Sequence, residues 1–391
     1  MTVSNDDLVV SGAAGADVST SVTLEDVGKR FGSVSILDHL NLKVEDRELL
    51  VLLGPSGCGK TTTLNVIAGL EPVDSGRVLY GTDDVTRVPP ENRDVSMVFQ
   101  TVGLYPHLNV YENITFPLKL KKIPSAVITK RVSAMVELLG IGHVVKRRIH
   151  EISGGERQRV AFAKALVKRP RLFLLDEPFS SLDAEIRRQL RTELVRIHRE
   201  LHTTMVFITH DQEEAMSIGD RVAVMNRGQL LQFGSPLQVY QWPSSLWVAR
   251  FIGTHPINVL EVQIVDGQVV VEGDRPLVLG TAPENLKGAP TRAQLALGVR
   301  PESLTLSAAE EAASGPLYGQ VVIRHVMGNI ILYDVELPNG SRLRVLTPST
   351  LDYAIDSRVF IGIQWNSARV FDRDTGMLLL GPEPTVSHPP V

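Results

Sequence analysis

The stretch that most constrains this chain is the glycine-rich segment inside ELLVLLGPSGCGKTTTLNVIAGL, which begins at Glu48. An apolar run comes before the glycines, and a helical pattern comes after them, with Leu64, Ile67 and Leu70 expected on one face. A strand, a G-x-x-x-x-G-K-T loop and a helix in this order are typical of a site that cradles nucleotide phosphates. Backbone N–H groups of the loop and the positive end of the helix dipole attract the anion. We therefore predict an α/β fold built around a nucleotide site.

The side chains of this loop have distinct expected tasks. Lys60 is a compact cation that can reach the β- and γ-phosphates, and the Thr61 hydroxyl is a ligand for Mg²⁺. Thr62 fits an ordinary helical position, and the positive surroundings are expected to favour the thiolate of Cys58. A purely structural glycine turn is the alternative, but the full spacing favours nucleotide binding. The predicted ATP-binding residues of the loop are Gly54, Pro55, Ser56, Gly57, Cys58, Gly59, Lys60, Thr61 and Thr62.

A second apolar stretch, RLFLLDEP from Arg171, predicts the acidic partner of this loop. It has the composition of a buried strand in a parallel sheet, and it ends in Asp176 and Glu177. Because ligands of open parallel sheets bind at the carboxyl ends of the strands, we expect Asp176 near the metal and Glu177 near the attacking water. A solvated strand end is the alternative, which the phosphate loop disfavours.

A second glycine motif lies in EISGGERQRVA, residues 151–161. Ser153 and Glu156 have the S-x-x-E spacing of a capping box, so a well-capped helix is the simplest interpretation. Such a helix start also offers N–H groups and a positive dipole to an anion. Since the first loop already encloses the phosphates of its own nucleotide, this motif is expected to cover a nucleotide held by another copy. The helical apolar pattern consists of Val160, Ala163, Leu166 and Val167.

The order of the phosphate loop, SGGERQR and LLDE resembles that of ATP-binding-cassette (ABC) ATPases. In that family two cassettes dimerise head to tail, and the signature motif of each covers the ATP of the other. Ile152 and Glu156 depart from the Leu and Gln that are more usual there. The resemblance implies that ATP is bound in trans by Ser153, Gly154, Gly155 and Glu156.

The resemblance also implies roles for four further residues. Gln100, in MVFQTVGLYPHL, matches a glutamine that meets Mg²⁺ and water, and Asp183, in SSLDA, matches a contact across the dimer. Asp183 could instead only cap the following helix. His210 matches a γ-phosphate sensor and Phe31 an aromatic that stacks on adenine; packing in the core is the alternative for both. The implied catalytic set is Lys60, Gln100, Glu177 and His210, and the implied Mg²⁺ set is Thr61, Asp176 and Gln100.

Helical spacing in VITKRVSAMVELLGI, between Gln100 and Ser153, predicts a helical subdomain inserted into the α/β core. In the ABC family a coupling helix of the membrane subunit lies beside this subdomain. The resemblance implies that Tyr105, Pro106 and His107 make this contact. The loop at 101–103 reads Thr-Val-Gly, which departs from the family's usual Ser-Tyr-Ala.

After FIGTHPINVLEV, short alternating stretches replace the helical pattern. In LYDVELPNGSRLRV, Tyr333, Val335 and Leu337 alternate with acids, and Leu343 and Val345 alternate with arginines, which predicts a hairpin with one buried face. We expect a small all-β, OB-like domain, which resembles the regulatory (TOBE) domain of sugar-importer ATPases. The predicted limits are 1–20 for a flexible extension, 21–252 for the ATPase domain, 253–385 for the regulatory domain and 386–391 for a tail.

Charge and composition disfavour several kinds of partner and location. The 391 residues carry a net charge of −4, which argues against nucleic acid as a partner. The single cysteine precludes an internal disulfide and favours the cytosol. No apolar run approaches the roughly 18 residues that span a bilayer, and the first residues lack the pattern of a signal peptide. We expect a chain that is neither secreted nor membrane-spanning.

The resemblance as a whole implies the ATPase subunit of an importer at the cytoplasmic face of the inner membrane. The expected partners are two integral-membrane permease subunits, an extracytoplasmic solute-binding protein and a second ATPase subunit, in a homodimer or heterodimer. VTRVPPENRDVSMVFQ is most similar to carbohydrate and glycerol-phosphate importers. Importers of polyamines, ferric ion or sulphate, and soluble ABC ATPases with a regulatory role, remain alternatives.

Overall fold

The computed structural model describes residues 20–272, 276–281, 294–308 and 317–380. These residues divide into two units, 20–236 and 237–380. The predicted extension, apart from Thr20, and the predicted tail at 386–391 lie outside the described residues, and the domain limit predicted between 252 and 253 stays a prediction. Within the described part of the chain, no helix has the length and apolar character needed to cross a membrane.

The first unit alternates strands and helices. Its strands are β1 (Val22–Phe31), β2 (Val34–Val44), β3 (Leu49–Leu53), β4 (Ser75–Tyr80), β5 (Asp83–Asp84), β6 (Val95–Val98), β7 (Leu172–Asp176), β8 (Thr204–Thr209), β9 (Arg221–Asn226) and β10 (Gln229–Gly234). Its helices are α1 (Lys60–Ala68), α2 (Val110–Leu120), α3 (Ser125–Leu138), α4 (Gly154–Leu166), α5 (Ala184–Leu201) and α6 (Gln212–Ile218).

The central sheet of this unit has the strand order β10-β9-β3-β8-β7-β6. Strand β8 pairs in parallel with both β3 and β7, and β7 pairs in parallel with β6. All side chains of β3 and β7 are buried, as their continuous apolar sequences predict for strands covered on both faces. The parallel pairing places the carboxyl ends of β3, β8, β7 and β6 at one edge of the sheet. A second, antiparallel sheet has the order β2-β1-β4-β5.

Helix α1 is shorter than its sequence pattern predicts. It ends at Gly69, which has φ = 80°, and the N–H of Gly69 donates to the Val66 carbonyl. This left-handed conformation is accessible to glycine and stops the helix. Leu64 and Ile67 lie in the helix and are buried, but Leu70 lies beyond the helix and is 45% exposed, so the prediction that all three share one helical face is wrong for Leu70.

The predicted helical insertion is confirmed, because α2 and α3 lie between β6 and β7 in the chain. Helix α2 starts with a capping box in which the Asn109 side chain accepts from the N–H of Glu112 and the Glu112 carboxylate accepts from the N–H of Asn109. Buried Asn113 donates to the carbonyl groups of Tyr105 and Leu108 and accepts from the Tyr105 N–H. The loop before α2 is therefore held in shape by one side chain.

The second unit contains mainly strands, as the sequence predicts, and two short helices. Its helices are α7 (Pro236–Gln241) and α8 (Leu246–Phe251), and its strands are β11 (Asn258–Val265), β12 (Gln268–Val271), β13 (Leu277–Thr281), β14 (Leu295–Val299), β15 (Leu304–Ala308), β16 (Tyr318–Val326), β17 (Ile330–Glu336), β18 (Arg342–Pro348), β19 (Arg358–Ile363), β20 (Arg369–Asp372) and β21 (Leu378–Leu380). They form one sheet of order β13-β12-β11-β14-β20-β21 and another of order β15-β19-β16-β17-β18. Both sheets contribute to one apolar core.

The predicted hairpin of this unit is confirmed in its register. Strands β17 and β18 pair Tyr333 with Val345 and Val335 with Leu343. All four of these side chains and Leu337 are buried. The period of two along each strand therefore predicted the buried face correctly, because successive residues of a strand point to opposite faces.

Truncating Leu52 to Ala should lower the free energy of unfolding by about 2–5 kcal/mol, since this side chain is fully buried in β3 and its removal leaves a cavity. Urea unfolding followed by circular dichroism measures the effect. The matched control is Leu237→Ala, because Leu237 is 63% exposed and its truncation should change the stability by less than about 0.5 kcal/mol. Equal effects of the two substitutions would contradict the assignment of β3 to the core.

Candidate functional site

The loop between β3 and α1 has a backbone shape that requires its glycines. Gly57 and Gly59 have φ values of 77° and 107°, where residues with a Cβ are strained. A Cβ on Gly59 would lie 2.9 Å from the Ile36 carbonyl oxygen. A Cβ on Gly54 would lie 2.4 Å from the Met225 carbonyl oxygen. The loop is therefore packed against neighbouring backbone segments, which fix its curvature.

Lys60 is held inside the curve of this loop. Its Nζ donates to the carbonyl oxygens of Gly54 at 2.8 Å and Pro55 at 3.0 Å, and only 5% of the residue is exposed. Gly59 is the N-cap residue of α1 and makes no side-chain hydrogen bond. The first N–H groups of the helix therefore have no side-chain acceptor at the cap. Phosphate oxygens could accept from both the ammonium and these N–H groups. Of the other predicted loop residues, Ser56 and Thr61 are exposed and Pro55 and Thr62 are partly buried.

Thr61 and Asp176 meet beside the loop. The Thr61 hydroxyl donates to Asp176 Oδ1 at 3.2 Å, and Asp176, at the end of β7, is 7% exposed. Burial raises the pKa of Asp176 above its usual value, and the neighbouring Glu177 charge raises it further, against the opposite effects of Thr61 and Lys60. A hydroxyl and a carboxylate are oxygen ligands that Mg²⁺ prefers, and a buried carboxylate gains from a nearby cation. These residues therefore fit a Mg²⁺ ion that also binds substrate phosphates.

Glu177 and His210 form the second pair at this edge. His210 Nδ1 lies 3.1 Å from Glu177 Oε2, although β8 and β7 deliver these residues from distant parts of the sequence. Glu177 has φ = 43°, a strained conformation for a residue with a side chain, and its N–H donates to the Ile208 carbonyl. The strained turn directs the carboxylate toward His210. More than half of the His210 side chain is exposed, which makes the pair accessible to a ligand.

The second glycine motif forms the predicted capping box. The N–H of Glu156 donates to Ser153 Oγ at 3.3 Å, and the N–H of Ser153 donates to Glu156 Oε2 at 2.8 Å. Ser153 is exposed, and a Cβ on Gly155 would lie 2.9 Å from the Ile186 side chain. The start of α4 is thus packed against the start of α5. The trans role of Ser153, Gly154, Gly155 and Glu156 stays a prediction.

The roles predicted for Asp183, Gln100 and Phe31 stay predictions, because the structure contains a single chain. Asp183 accepts from the Ile186 N–H at 3.0 Å, so it caps α5, and it remains exposed. Gln100 is exposed after β6, at the same sheet edge as the two pairs. Phe31 is 49% exposed, which excludes the alternative of a core aromatic and leaves its ring accessible, with Lys29 Nζ 5.1 Å from the ring centroid.

Sequence reasoning did not identify a polar network behind His210. The Thr209 hydroxyl donates to buried Glu214 at 2.5 Å, and the Arg187 guanidinium lies 3.8 Å from Glu214 and 3.5 Å from Asp211. Arg187 also donates to the Leu182 carbonyl at 3.0 Å. This network therefore connects the segment that precedes Asp183 with the loop that contains His210. The only sequence signal was the helical period of α6, which places Glu214 on the same buried face as Ile218.

One of the three predicted coupling residues, Tyr105, lines a groove next to α2 and α4. Tyr105, Pro106 and His107 are exposed, and the Tyr105 ring packs 4.7 Å from the Phe116 ring, with Lys164 Nζ 3.9 Å from its centroid. The groove has a volume of about 360 Å³. Its apolar and cationic lining, here called the coupling groove, comprises Phe99, Tyr105, Phe116, Leu120, Lys164 and Lys168.

The prediction that the loop favours the thiolate of Cys58 is wrong. Cys58 is 4% exposed and belongs to the apolar core that contains Leu37 and Leu64. Burial raises the pKa of the Cys58 thiol above its usual value, and the lowering effects of Lys60 and nearby backbone N–H groups are smaller. The loop's positive surroundings are therefore not sufficient to ionise this thiol.

We accordingly expect iodoacetamide to modify Cys58 at least about tenfold more slowly in the folded protein than in urea, since the thiol is both buried and protonated. Intact-mass spectrometry measures the rate directly, because the chain has one cysteine. Similar rates in the two conditions would contradict the buried, protonated thiol.

Comparison with known proteins gives matches in both parts of the chain. The family model described as ABC transporter matches residues 37–180, and the TOBE domain model matches residues 297–371. The trehalose/maltose import ATP-binding protein MalK of Thermococcus litoralis is 46% identical over 291 residues, 72% of this chain and 78% of that protein. The osmoprotective compounds uptake ATP-binding protein GgtA of Synechocystis is 40% identical over 365 residues, 87% of this chain and 96% of that protein.

Solved structures show the same fold. The structure of cbiO1 from Clostridium perfringens, part of the ABC transporter complex cbiONQ, has a TM-score of 0.53 and 28% identity. The match covers 56% of this chain and 90% of that chain. A nucleotide-free ATP-binding cassette from an ABC transporter has a TM-score of 0.50 and 24% identity, with 55% and 91% covered. From the loop geometry, the paired acids and these relatives, we conclude that the chain belongs to the ATP-binding proteins of ABC transporters.

Proposed function

We propose that this chain is the ATP-hydrolysing subunit of an ABC importer that energises uptake of a carbohydrate or a related polyol. The observation that carries the proposal is the meeting of the Thr61–Asp176 and Glu177–His210 pairs beside the phosphate loop, at one edge of one sheet. The solute class follows the relatives, whose names specify import of trehalose and maltose or uptake of osmoprotective compounds.

Within the site, each residue performs a separate part of hydrolysis. Lys60 exchanges its loop carbonyl acceptors for β- and γ-phosphate oxygens and positions the phosphates together with the α1 N–H groups. Glu177 accepts a hydrogen bond from the attacking water and orients it, and His210 donates a hydrogen bond to the γ-phosphate. Thr61, Asp176 and Gln100 would hold Mg²⁺, which would neutralise phosphate charge. Phe31 stacks on the adenine ring.

A second ATPase subunit completes the site. Ser153 and the glycines of the second motif cover the nucleotide of the opposite subunit, and Asp183 contacts that subunit, in a homodimer or a heterodimer. The exposure of Ser153, Asp183 and His210 in the single chain supports this arrangement, since all three remain accessible to another copy. Closure of this dimer around ATP drives the transport step, and hydrolysis reverses the closure.

The coupling groove is the proposed docking site for the membrane subunits. Its exposed Phe99 and Leu120 offer an apolar surface beside Tyr105, which suits a short amphipathic helix from a permease. The complex contains two permease subunits and an extracytoplasmic solute-binding protein, so the chain is peripheral at the cytoplasmic face of the inner membrane. Purification from gently solubilised native membranes, followed by mass spectrometry, tests this assembly. Recovery of ribosomes or a lone regulator in place of permeases would contradict it.

We expect Glu177→Gln to preserve ATP binding and to lower turnover by about 10²–10⁴-fold, because the amide cannot act as a base toward water. Steady-state ATPase assays and binding of a fluorescent ATP analogue separate the two effects. Glu137→Gln is the matched control, since Glu137 is exposed on α3 and should keep normal turnover. Wild-type turnover of Glu177→Gln would contradict the assigned role.

Leu120→Asp should remove the permease subunits from the purified complex, because Leu120 is 69% exposed in the coupling groove and a charge there opposes apolar docking. Quantitative mass spectrometry of the affinity-purified chain measures the loss. Leu237→Asp introduces the same change at a residue that is 63% exposed and outside the groove, and it should leave recovery unchanged. Equal recovery with both variants would exclude the groove as the docking site.

A further inference from the structure

A contact between Glu156 and His143 at the second glycine motif is not part of the roles assigned to that motif. Glu156 Oε1 lies 2.8 Å from Nε2 of His143, a residue of the 3₁₀ turn Gly142–Val144 in the helical insertion. The other carboxylate oxygen, Oε2, accepts from the N–H of Ser153 in the capping box. Both oxygens of Glu156 are therefore directed to groups of its own chain.

The charge of Glu156 poses a problem for the proposed nucleotide site. Its pKa is lowered by the hydrogen bond from the Ser153 backbone and, to a smaller extent, by His143, so the side chain is ionised at neutral pH. A carboxylate in the first turn of α4 stabilises the helix by interacting with its dipole, but it also repels an anion that approaches the same helix start. ATP bound to a second copy of the chain is such an anion.

Nearby arginines are engaged elsewhere. The Arg157 guanidinium donates to the Ile152 carbonyl at 2.9 Å, and Arg159 pairs with Glu193 at 2.9 Å. Among the described residues, His143 is the side chain that contacts the remaining oxygen of Glu156, with Nε2 2.8 Å from Oε1. The imidazole is therefore the group placed to hydrogen-bond this carboxylate.

We propose that His143 is a positioning residue whose Nε2–H donates to the Glu156 carboxylate and holds it against its own chain, so that the start of α4 can accept the nucleotide of a second copy. This inference rests on the proposed function, because it requires the two-subunit ATP site. With glutamine at 156, there is no carboxylate to hold away from the nucleotide, and His143 becomes dispensable.

A role in stability alone does not account for the pair. The His143 side chain is 59% exposed and that of Glu156 19% exposed, and exposed ion pairs of this kind contribute little to folding. Their hydrogen bond strengthens when a second subunit and its nucleotide exclude water from this surface. The effect of the pair should therefore be measured at the assembled site.

The test is a double-mutant cycle on the full chain with His143→Ala, Glu156→Gln and the double variant, followed by steady-state ATPase assays with MgATP. His143→Ala should raise the KM for ATP about three- to tenfold and change kcat by less than about twofold. In the Glu156→Gln background the same substitution should leave KM unchanged. His150→Ala is the control, since His150 is an exposed histidine of the neighbouring turn Ile149–Glu151, and it should behave like the wild type.

An equal rise in KM in both backgrounds would overturn the inference, as would a loss of kcat with KM unchanged. Binding of a fluorescent ATP analogue to the monomer should be the same with and without His143, because the phosphate loop of the same chain is intact. ATP-dependent dimerisation of the Glu177→Gln chain, followed by size-exclusion chromatography, distinguishes the two levels of failure. If that chain does not dimerise with ATP, the proposed function fails; if it dimerises equally well with His143→Ala, only this inference fails.

Discussion

The parallel pairing of β3, β8 and β7 is the constraint on which the site depends. Their hydrogen-bond ladders align Leu53 with Thr209 and Asp176 with Ile208. The phosphate loop, His210 and Glu177 follow these residues directly, so the register of the ladders sets the spacing between them. Burial of both sheet faces prevents the strands from shifting, because a one-residue slip would reverse the orientation of every side chain. The chemistry is thus positioned by backbone hydrogen bonds and core packing.

A second common feature of the site is that its charged side chains have polar partners within the same chain. Lys60 is held by carbonyl oxygens, Asp176 by the Thr61 hydroxyl, and Glu177 by His210. Each of these charged groups is partnered within the single chain, which limits the desolvation cost of placing it in a partly closed site. In the proposed function, phosphates, a metal ion and water would take the place of these partners. The Glu156–His143 pair extends this pattern to the surface that a second subunit would cover.

Much of the fold could be predicted from local patterns. The apolar run and glycine spacing predicted β3, the loop and α1, and alternation predicted the buried faces of β17 and β18. The expectation for Leu70 was wrong because Gly69 ends the helix in a left-handed conformation. The prediction of a Cys58 thiolate was wrong because the sequence shows which charges are near in the chain but not how deeply a side chain is buried. Desolvation outweighs those nearby charges.

The sequence by itself determined the features that depend on residues close together in the chain. These are the phosphate loop, the capping box of Ser153 and Glu156, and the alternation of apolar and polar residues in the second unit. Periodicity and turn chemistry act over a few residues, so they can be read directly. Only the tertiary structure decided that Thr61 meets Asp176, that Glu177 meets His210, that Arg187 reaches Glu214 and that His143 pairs with Glu156. Those contacts join separate elements, and their distances are set by strand register and helix packing, which involve the whole core.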